Sequence, residues 1–324
     1  MTFNRLTPPY YEILSLTNQS TIPADINISD HLNGFTRDGY NNIFNILNTL
    51  AAQQNSKITV TYHNIIDKTI KTLYPNLILK FSADAQDYLN LAFFKEYLGH
   101  PKVQYKNFLC SFNGSNHESR QLLTACLFKM GMFDPLYSSK NFTNTIDEID
   151  GLVSGHTDNE RLYRKFFTSS NSSEFFQTVY SFGHERYKHG ENIRSLENKL
   201  TESFIHIVSE TVATSYIPFV TEKFLYSIVT RGLFLAYAQP GWHGHVEEYY
   251  GFKKYNKLFD YKFDSIRYPI ERLVELVTMI SKFQNLSYDE LYDLYLLEID
   301  TINYNYNHYY SGDYLKKLKE YDDI

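Results

Sequence analysis

Two periods of apolar and polar residues organise the first hundred positions of the chain. Residues 24–29 (ADINIS), 57–62 (KITVTY) and 77–82 (LILKFS) are short apolar or alternating runs, the second enriched in β-branched side chains, and each predicts a strand. Between the first two, Ile43, Phe44, Ile46, Leu47 and Leu50 fall on one face of a predicted helix over 40–53. A short helix over 65–73 is closed by Pro75, and a further one over 87–98 stops at Gly99-His100-Pro101. The order β-α-β-α-β-α predicts parallel strands with helices on the sheet faces.

The pattern repeats further on. Residues 107–112 (NFLCSF) predict a strand and 118–129 a helix. Periodicity weakens over 138–198, where Ser169-Ser170-Asn171-Ser172-Ser173 favours turns or a cap. Residues 203–209 (SFIHIVS) are almost continuously apolar, which predicts a strand buried on both sides. A loop, a helix over 221–231, a strand over 232–237, a Pro240-Gly241 turn and a helix to 250 follow. Helices over 270–283 and 288–303 close the pattern, the second capped by Ser287. The fold class expected is α/β with two Rossmann-like lobes facing across a cleft. The boundaries are 1–105 for an amino-terminal, acceptor-side lobe and 106–285 for a ligand-binding lobe. Residues 286–324 are expected as carboxyl-terminal helices that pack back on the first lobe.

Composition changes this picture little. The chain has 324 residues, enough for two lobes of ordinary size, and carries 31 Lys and Arg against 37 Asp and Glu, a formal charge of -6. Net acidity removes any bulk-charge argument for nucleic-acid binding. The 29 Tyr and 24 Phe fit the codon bias of an AT-rich genome. Two cysteines, Cys110 and Cys126, are too few for a disulfide framework. The first residues lack a signal-peptide pattern, and no apolar run approaches the ~20 residues of a membrane helix. A soluble, cytoplasmic protein without membrane attachment is expected, its oligomeric state open.

Several motifs fail. There is no G-x-x-x-x-G-K-[ST] loop, no G-x-G-x-x-G fingerprint and no G-x-S-x-G elbow. His184 and His189 are five positions apart, about 140° around a helix, so they cannot face one zinc ion. The segment Trp242-His243-Gly244-His245 with Glu247 and Glu248 has metal-binding side chains but no spacing that fixes a third ligand. No metal site is expected. What survives is the connection from Ser209-Glu210-Thr211 through Tyr216 to Thr221-Glu222-Lys223. A buried strand ends there and a helix starts, with Thr221 as cap and Glu222 favoured in the first turn by the helix dipole. The same features suit a nucleoside diphosphate: amides at the helix start and Lys223 for phosphate, and a carboxylate for ribose hydroxyls, from Glu222 or from Glu210.

The run SETVATSYIPFVTEKFLYSIVTRGLFLAYAQPGWHGHVEEYYGFKKYNKLFDYKFDSI resembles the carboxyl-terminal lobe of a glycosyltransferase-like family found in bacteriophages and some bacteria. That family has a strand ending in S-E-T, a F-[LIV]-T-E-K helix start, a Pro-Gly turn and a D-E-S-Y-D block. The Glu-Lys pair is similar to the donor segment of fucosyltransferase-like GT-B enzymes. NFLCSFNGSNHESRQLL resembles the segment that opens the family's second lobe, with Asn113, His117 and Arg120 kept and paired arginines replaced by Gly114 and Ser115. Asn307 and His308 in NYNHYY match its closing segment, whereas the D-E-S-Y-D block is reduced to Asp260-Tyr261-Lys262-Phe263-Asp264. The likeness covers about 105–310, patchily over 140–200.

The resemblance implies a GT-B glycosyltransferase that moves a sugar from a nucleotide-sugar to an acceptor hydroxyl, with no cofactor and no metal required. It implies a donor site of Asn113, Arg120, Ser209, Glu210, Thr211, Tyr216, Thr221, Glu222 and Lys223. An inverting enzyme of this kind needs a base on the first lobe. Asp38, Asp30 and His31 cluster after the first strand, with Asp38 ahead of Asp30, and the competing role for them is turn and cap formation. The acceptor is open between modified bases of DNA, a virion protein and a surface glycan. Lys57, Lys68, Lys71, Lys80 and Lys102 are scattered along the first lobe instead of forming a run. The alternative is a non-catalytic GT-B-like interaction or virion-associated protein.

Overall fold

The computed structural model of the chain describes residues 23–28, 37–62, 72–81, 99, 105–113, 118–134, 138–140, 192–210, 213 and 220–322. Strands form where alternation predicts them: β1 (Asp25–Ile28), β2 (Ile58–Tyr62) and β3 (Leu77–Phe81), all parallel, in the order β1-β2-β3. Register aligns Val60 with Ile26 and with Leu79. These side chains share a core with Ile43, Phe44, Leu47, Leu50 and Ala51 of helix α1 (Arg37–Gln53). The alternate positions are wetter, Ile78 being 41% exposed. Helix α1 starts three residues before the expected position, so the backbone of Asp38 lies in its first turn. Of the helices expected over 65–73 and 87–98, only residues 72 and 73 fall among the described residues, and they are helical.

The second sheet contains β4 (Asn107–Asn113), β5 (Ser138–Lys140), β6 (Ser203–Ser209) and β7 (Leu233–Tyr237), all parallel, in the order β5-β4-β6-β7. Every residue of β6 and β7 is buried, as the continuous apolar run of β6 predicts for a strand covered on both faces. Helix α2 (Glu118–Lys129) follows β4 at the expected place, and α3 (Asn192–Glu202) runs into β6 from within the stretch of weak periodicity. Residues 141–191 lie outside the described set. Thr124 of α2 meets Asn113, and the Tyr237 hydroxyl donates to Pro269 O at the start of the helix over Pro269–Ser281, so these two helices cover one face. The other carries Phe224, Phe234, Trp242 and Tyr255 in edge-to-face and tilted contacts.

The helix expected over 221–231 is shorter and mixed. Glu222–Phe224 form a 3₁₀ turn capped by the Thr221 side chain, and α4 (Leu225–Val229) continues it. Arg231 closes the segment at φ 51°, its guanidinium 3.7 Å from the centre of the Tyr306 ring and bonded to Asn303 Oδ1 at 2.5 Å. Gly99 approaches here: a Cβ on it would lie 1.9 Å from Val229 O, so only glycine fits. After β7 the Pro240-Gly241 turn leads into α5 (Trp242–His245), a π-helical turn over Val246–Tyr250, a 3₁₀ turn over Tyr261–Ser265 and α6 (Pro269–Ser281).

The single helix expected over 288–303 is two: α7 (Tyr288–Leu297), with its Ser287-Glu290 capping box, and α8 (Ile299–Tyr310). The helices meet at Glu298, which leaves helical geometry (φ -102°, ψ 9°) and whose buried carboxylate accepts the Lys257 N–H at 2.6 Å. Helix α9 (Asp313–Asp322) follows. Leu291, Tyr295, Ile302, Tyr309, Tyr314 and Leu318 of these three helices join the core built around β4–β7. Buried apolar residues thus form two clusters, one per parallel sheet, in a mixed α/β chain. Among the described residues no helix is long and apolar enough to cross a membrane. Cys110 and Cys126 are both buried.

Candidate functional site

Strand order locates the crevice. The crossover from β4 leads to β5 on one side, whereas β6 and β7 lie on the other side of β4. The direction of winding therefore reverses between β4 and β6, and open parallel sheets bind ligands outside the carboxyl ends of strands at such a reversal. The register pairs Cys110 with His206, and Asn113 and Ser209, each three residues further on, are the last residues of β4 and β6. Ser209 is itself level with Tyr237, the last residue of β7.

Asn113 is held in one orientation. Its Nδ2 donates to Ser111 Oγ at 3.1 Å and Thr124 Oγ1 at 3.5 Å. Both hydroxyls commit their own hydrogens to carbonyls, Ser111 to Ile207 O and Thr124 to Arg120 O. The amide therefore cannot flip, and its buried Oδ1 has no hydrogen-bond partner among the described residues.

Glu210 follows β6 and is fully enclosed. Its Oε1 accepts the Thr221 N–H at 3.1 Å and its Oε2 accepts the Thr221 hydroxyl at 2.6 Å. The main chain of Glu210 is also tied down: its N–H donates to Tyr237 O and its carbonyl accepts from Ser119 Oγ at 2.8 Å. Burial pushes its carboxyl pKa up, opposed by the Lys223 charge and the two Thr221 hydrogen bonds. Each carboxyl oxygen of Glu210 thus accepts from Thr221, which fixes the start of the Thr221-Glu222-Lys223 segment to the end of β6. Thr221 passes the constraint on, its hydroxyl oxygen accepting from Lys223 Nζ at 2.9 Å.

Glu222 lies 3.7 Å from Lys223 Nζ and is nearly as enclosed as Glu210. Arg120, on α2, is buried too. Burial pushes its pKa down, and the nearby Glu210 and Glu222 carboxylates pull it back up. Two carboxylates and two cations thus form one compensated cluster. Lys223, whose side chain is 21% exposed, is the member that reaches solvent. Of the other expected donor residues, Ser209 is buried with its hydroxyl 3.4 Å from Glu210 O, and Thr211 and Tyr216 lie outside the described residues. So do Asp30, His31 and the side chain of Asp38. Lys57 and Lys80 are exposed on the first unit.

The segment with metal-binding side chains turns out to be a latch. His243 Nε2 accepts the Ala236 N–H at 3.0 Å, so Nδ1 carries the proton and donates it to Asp264 Oδ1 at 2.8 Å. Asp264 Oδ2 also accepts the His243 N–H at 3.1 Å, and its carbonyl accepts from Gly241 N–H. The histidine satisfies an outward N–H of edge strand β7, and neither ring nitrogen is left for an ion. Among the described residues no three His, Cys, Asp or Glu side chains converge as metal ligands. Burial lowers the His245 pKa to about 3 against the opposing charge of Asp264, and its enclosed Nε2 has no partner.

Three residues to which the sequence assigned no role shape this region. Asp264, the surviving part of the reduced acidic block, holds α5 against the sheet. Arg272 is buried and donates to Ala213 O at 2.5 Å and to the carbonyls of Ile266 and Arg267, tying the β6 loop to the start of α6. Gln239, just past β7, is completely enclosed with neither side-chain atom hydrogen-bonded. A glutamine between a buried strand and a Pro-Gly turn was the only signal for it. A groove of about 720 Å³, lined among others by Asn107, Phe108, Met132, Tyr288 and Leu291, opens at the amino-terminal end of β4, the opposite edge from this crevice. Compared with protein-family models, with curated proteins and with solved structures, the chain matches none.

Proposed function

We propose that the chain is a nucleotide-sugar-dependent glycosyltransferase of two-lobed GT-B organisation, with the donor diphosphate against Lys223 outside β4 and β6. The observation that carries this is the coincidence of the winding reversal with the Thr221-Glu222-Lys223 segment, whose lysine alone in a compensated cluster reaches solvent. Lys223 supplies charge to the leaving diphosphate, Arg120 supports it from behind, and Asn113 Oδ1 accepts a ligand N–H or O–H. Glu222 is the candidate for the ribose hydroxyls. Asp38, Asp30 and His31 are the candidates for the base that deprotonates the acceptor, which is a hydroxyl of a modified DNA base, a protein or a glycan.

A thermal-shift screen with nucleoside diphosphates and nucleotide-sugars tests the proposal. A ligand at 100 times its dissociation constant adds about 2.7 kcal/mol of stability. The expected result is a shift with one nucleotide series that is lost in Lys223→Ala and Glu222→Ala. No shift with any member of the panel favours instead a non-catalytic interaction protein.

A further inference from the structure

We propose that Gln239 reads the edge of the bound nucleobase; this rests on the donor-site proposal above. Gln239 lies two residues beyond the end of β7, and its backbone carbonyl accepts the Trp242 N–H at 3.3 Å to form the Pro240-Gly241 turn. Its neighbour strand ends at the donor segment, because Glu210 N–H donates to Tyr237 O at 3.0 Å. Gln239 is 0% exposed, and among the described residues neither Nε2 nor Oε1 has a hydrogen-bond partner. Buried amides without partners are rare in folded chains, and a leucine or methionine would fill this space without that penalty. An uncompensated donor and acceptor on one side chain, at the ligand-binding edge of a parallel sheet, indicate that the partner comes with the ligand.

The chemistry selects the ligand group. A carboxamide offers an N–H and a C=O side by side, so it pairs with a planar edge that offers the complementary two. Uracil and guanine present such an edge, a ring N–H next to a ring C=O, and adenine and cytosine present an amino N–H next to a ring nitrogen. The acetamido group of an N-acetylated sugar does not, because in a trans amide the N–H and C=O point in opposite directions. Gln239 is enclosed in the ligand-free chain, so the ligand must uncover it on entry, a local rearrangement of the kind many sites undergo.

Isothermal titration of UDP, GDP, ADP, CDP and inorganic pyrophosphate into the full chain tests this, using wild type, Gln239→Leu and Gln239→Met. The expected result is that both variants bind the wild type's preferred nucleotide at least about tenfold more weakly. They should bind pyrophosphate as wild type does and melt no lower. Equal nucleotide affinity in the variants overturns the role of Gln239 and leaves the donor site standing. Loss of nucleotide and pyrophosphate together also overturns it, because the damage is then to the whole site. A wild type that binds none of the nucleotides overturns the donor-site proposal and this inference with it.

Discussion

Replacing Thr221 by valine removes one hydroxyl and keeps the shape of the side chain. That hydroxyl is the link between Glu210 and Lys223: it donates to Glu210 Oε2 at 2.6 Å and accepts from Lys223 Nζ at 2.9 Å. The first bond is fully buried, and its loss leaves a carboxyl oxygen of Glu210 unpaired, which costs about 2 kcal/mol. The second involves a partly exposed ammonium and adds little. The cap to Lys223 N, at 3.5 Å, is long and adds little as well. The cost should depend on pH in a definite direction. Glu210 already has a raised pKa, and Thr221 is one of the groups holding it down, so the valine raises it further. The lost bond matters while Glu210 is ionised, so the destabilisation is largest above the folded pKa of Glu210 and shrinks as pH falls through it. Trp242, the one tryptophan of the chain, is buried in the same core and reports unfolding by fluorescence. Urea unfolding of wild type, Thr221→Val and Thr221→Ser at pH 7.5 and 5 measures the effect. Serine keeps the hydroxyl and should stay near wild type. The chain of contacts from Glu210 to Lys223 would be refuted by a valine variant with wild-type stability at both pH values.

Three further outcomes follow from the packing. Gly99→Ala sets a Cβ against the Val229 carbonyl and should cost about 2 kcal/mol, read from the urea midpoint, because backbone cannot yield as a side-chain tip can. Asp264→Ala strips the acceptor from the His243 ring and from its N–H, at a cost of about 3 kcal/mol; a Trp242 emission spectrum unchanged in position and a wild-type midpoint would argue against the latch. His245 has a folded pKa of about 3 against an ordinary 6.5, so the unfolded chain takes up its proton first. Stability from the neutral ring is complete above pH 6.5 and declines as pH falls toward 3, and His245→Phe should flatten that part of the melting-temperature profile.

How much was legible beforehand differs between elements and site. Period-2 and period-3.6 patterns are local, and β1 to β4, β6, β7, α1 and α2 follow from them because each buries one face or both against a core. The short β5 has only Ser138, Ser139 and Lys140, with no apolar signature, and its place beside β4 comes from pairing alone. The break at Glu298 was illegible for a related reason: helical periodicity continues through it, and the Lys257 N–H that its carboxylate accepts lies 41 residues away in sequence.

The site divides along the same line. Thr221 as a cap, Glu222 in the first turn and Lys223 beside it are settled by neighbours in sequence, and residues alone determined them. The strand order β5-β4-β6-β7 is a matter of long-range pairing, so the winding reversal that gives the segment its crevice was decided only by tertiary structure. Tertiary contacts also changed what individual groups are. Glu210 accepts from Thr221 on both oxygens; His243, with the chemistry of a metal ligand, spends both nitrogens on Ala236 and Asp264; and Gln239, unremarkable in sequence, is left with an amide that none of the described residues satisfies. Residue identity sets which hydrogen bonds a group can make. Only packing decides which of them the protein has already made, and therefore which remain for a ligand.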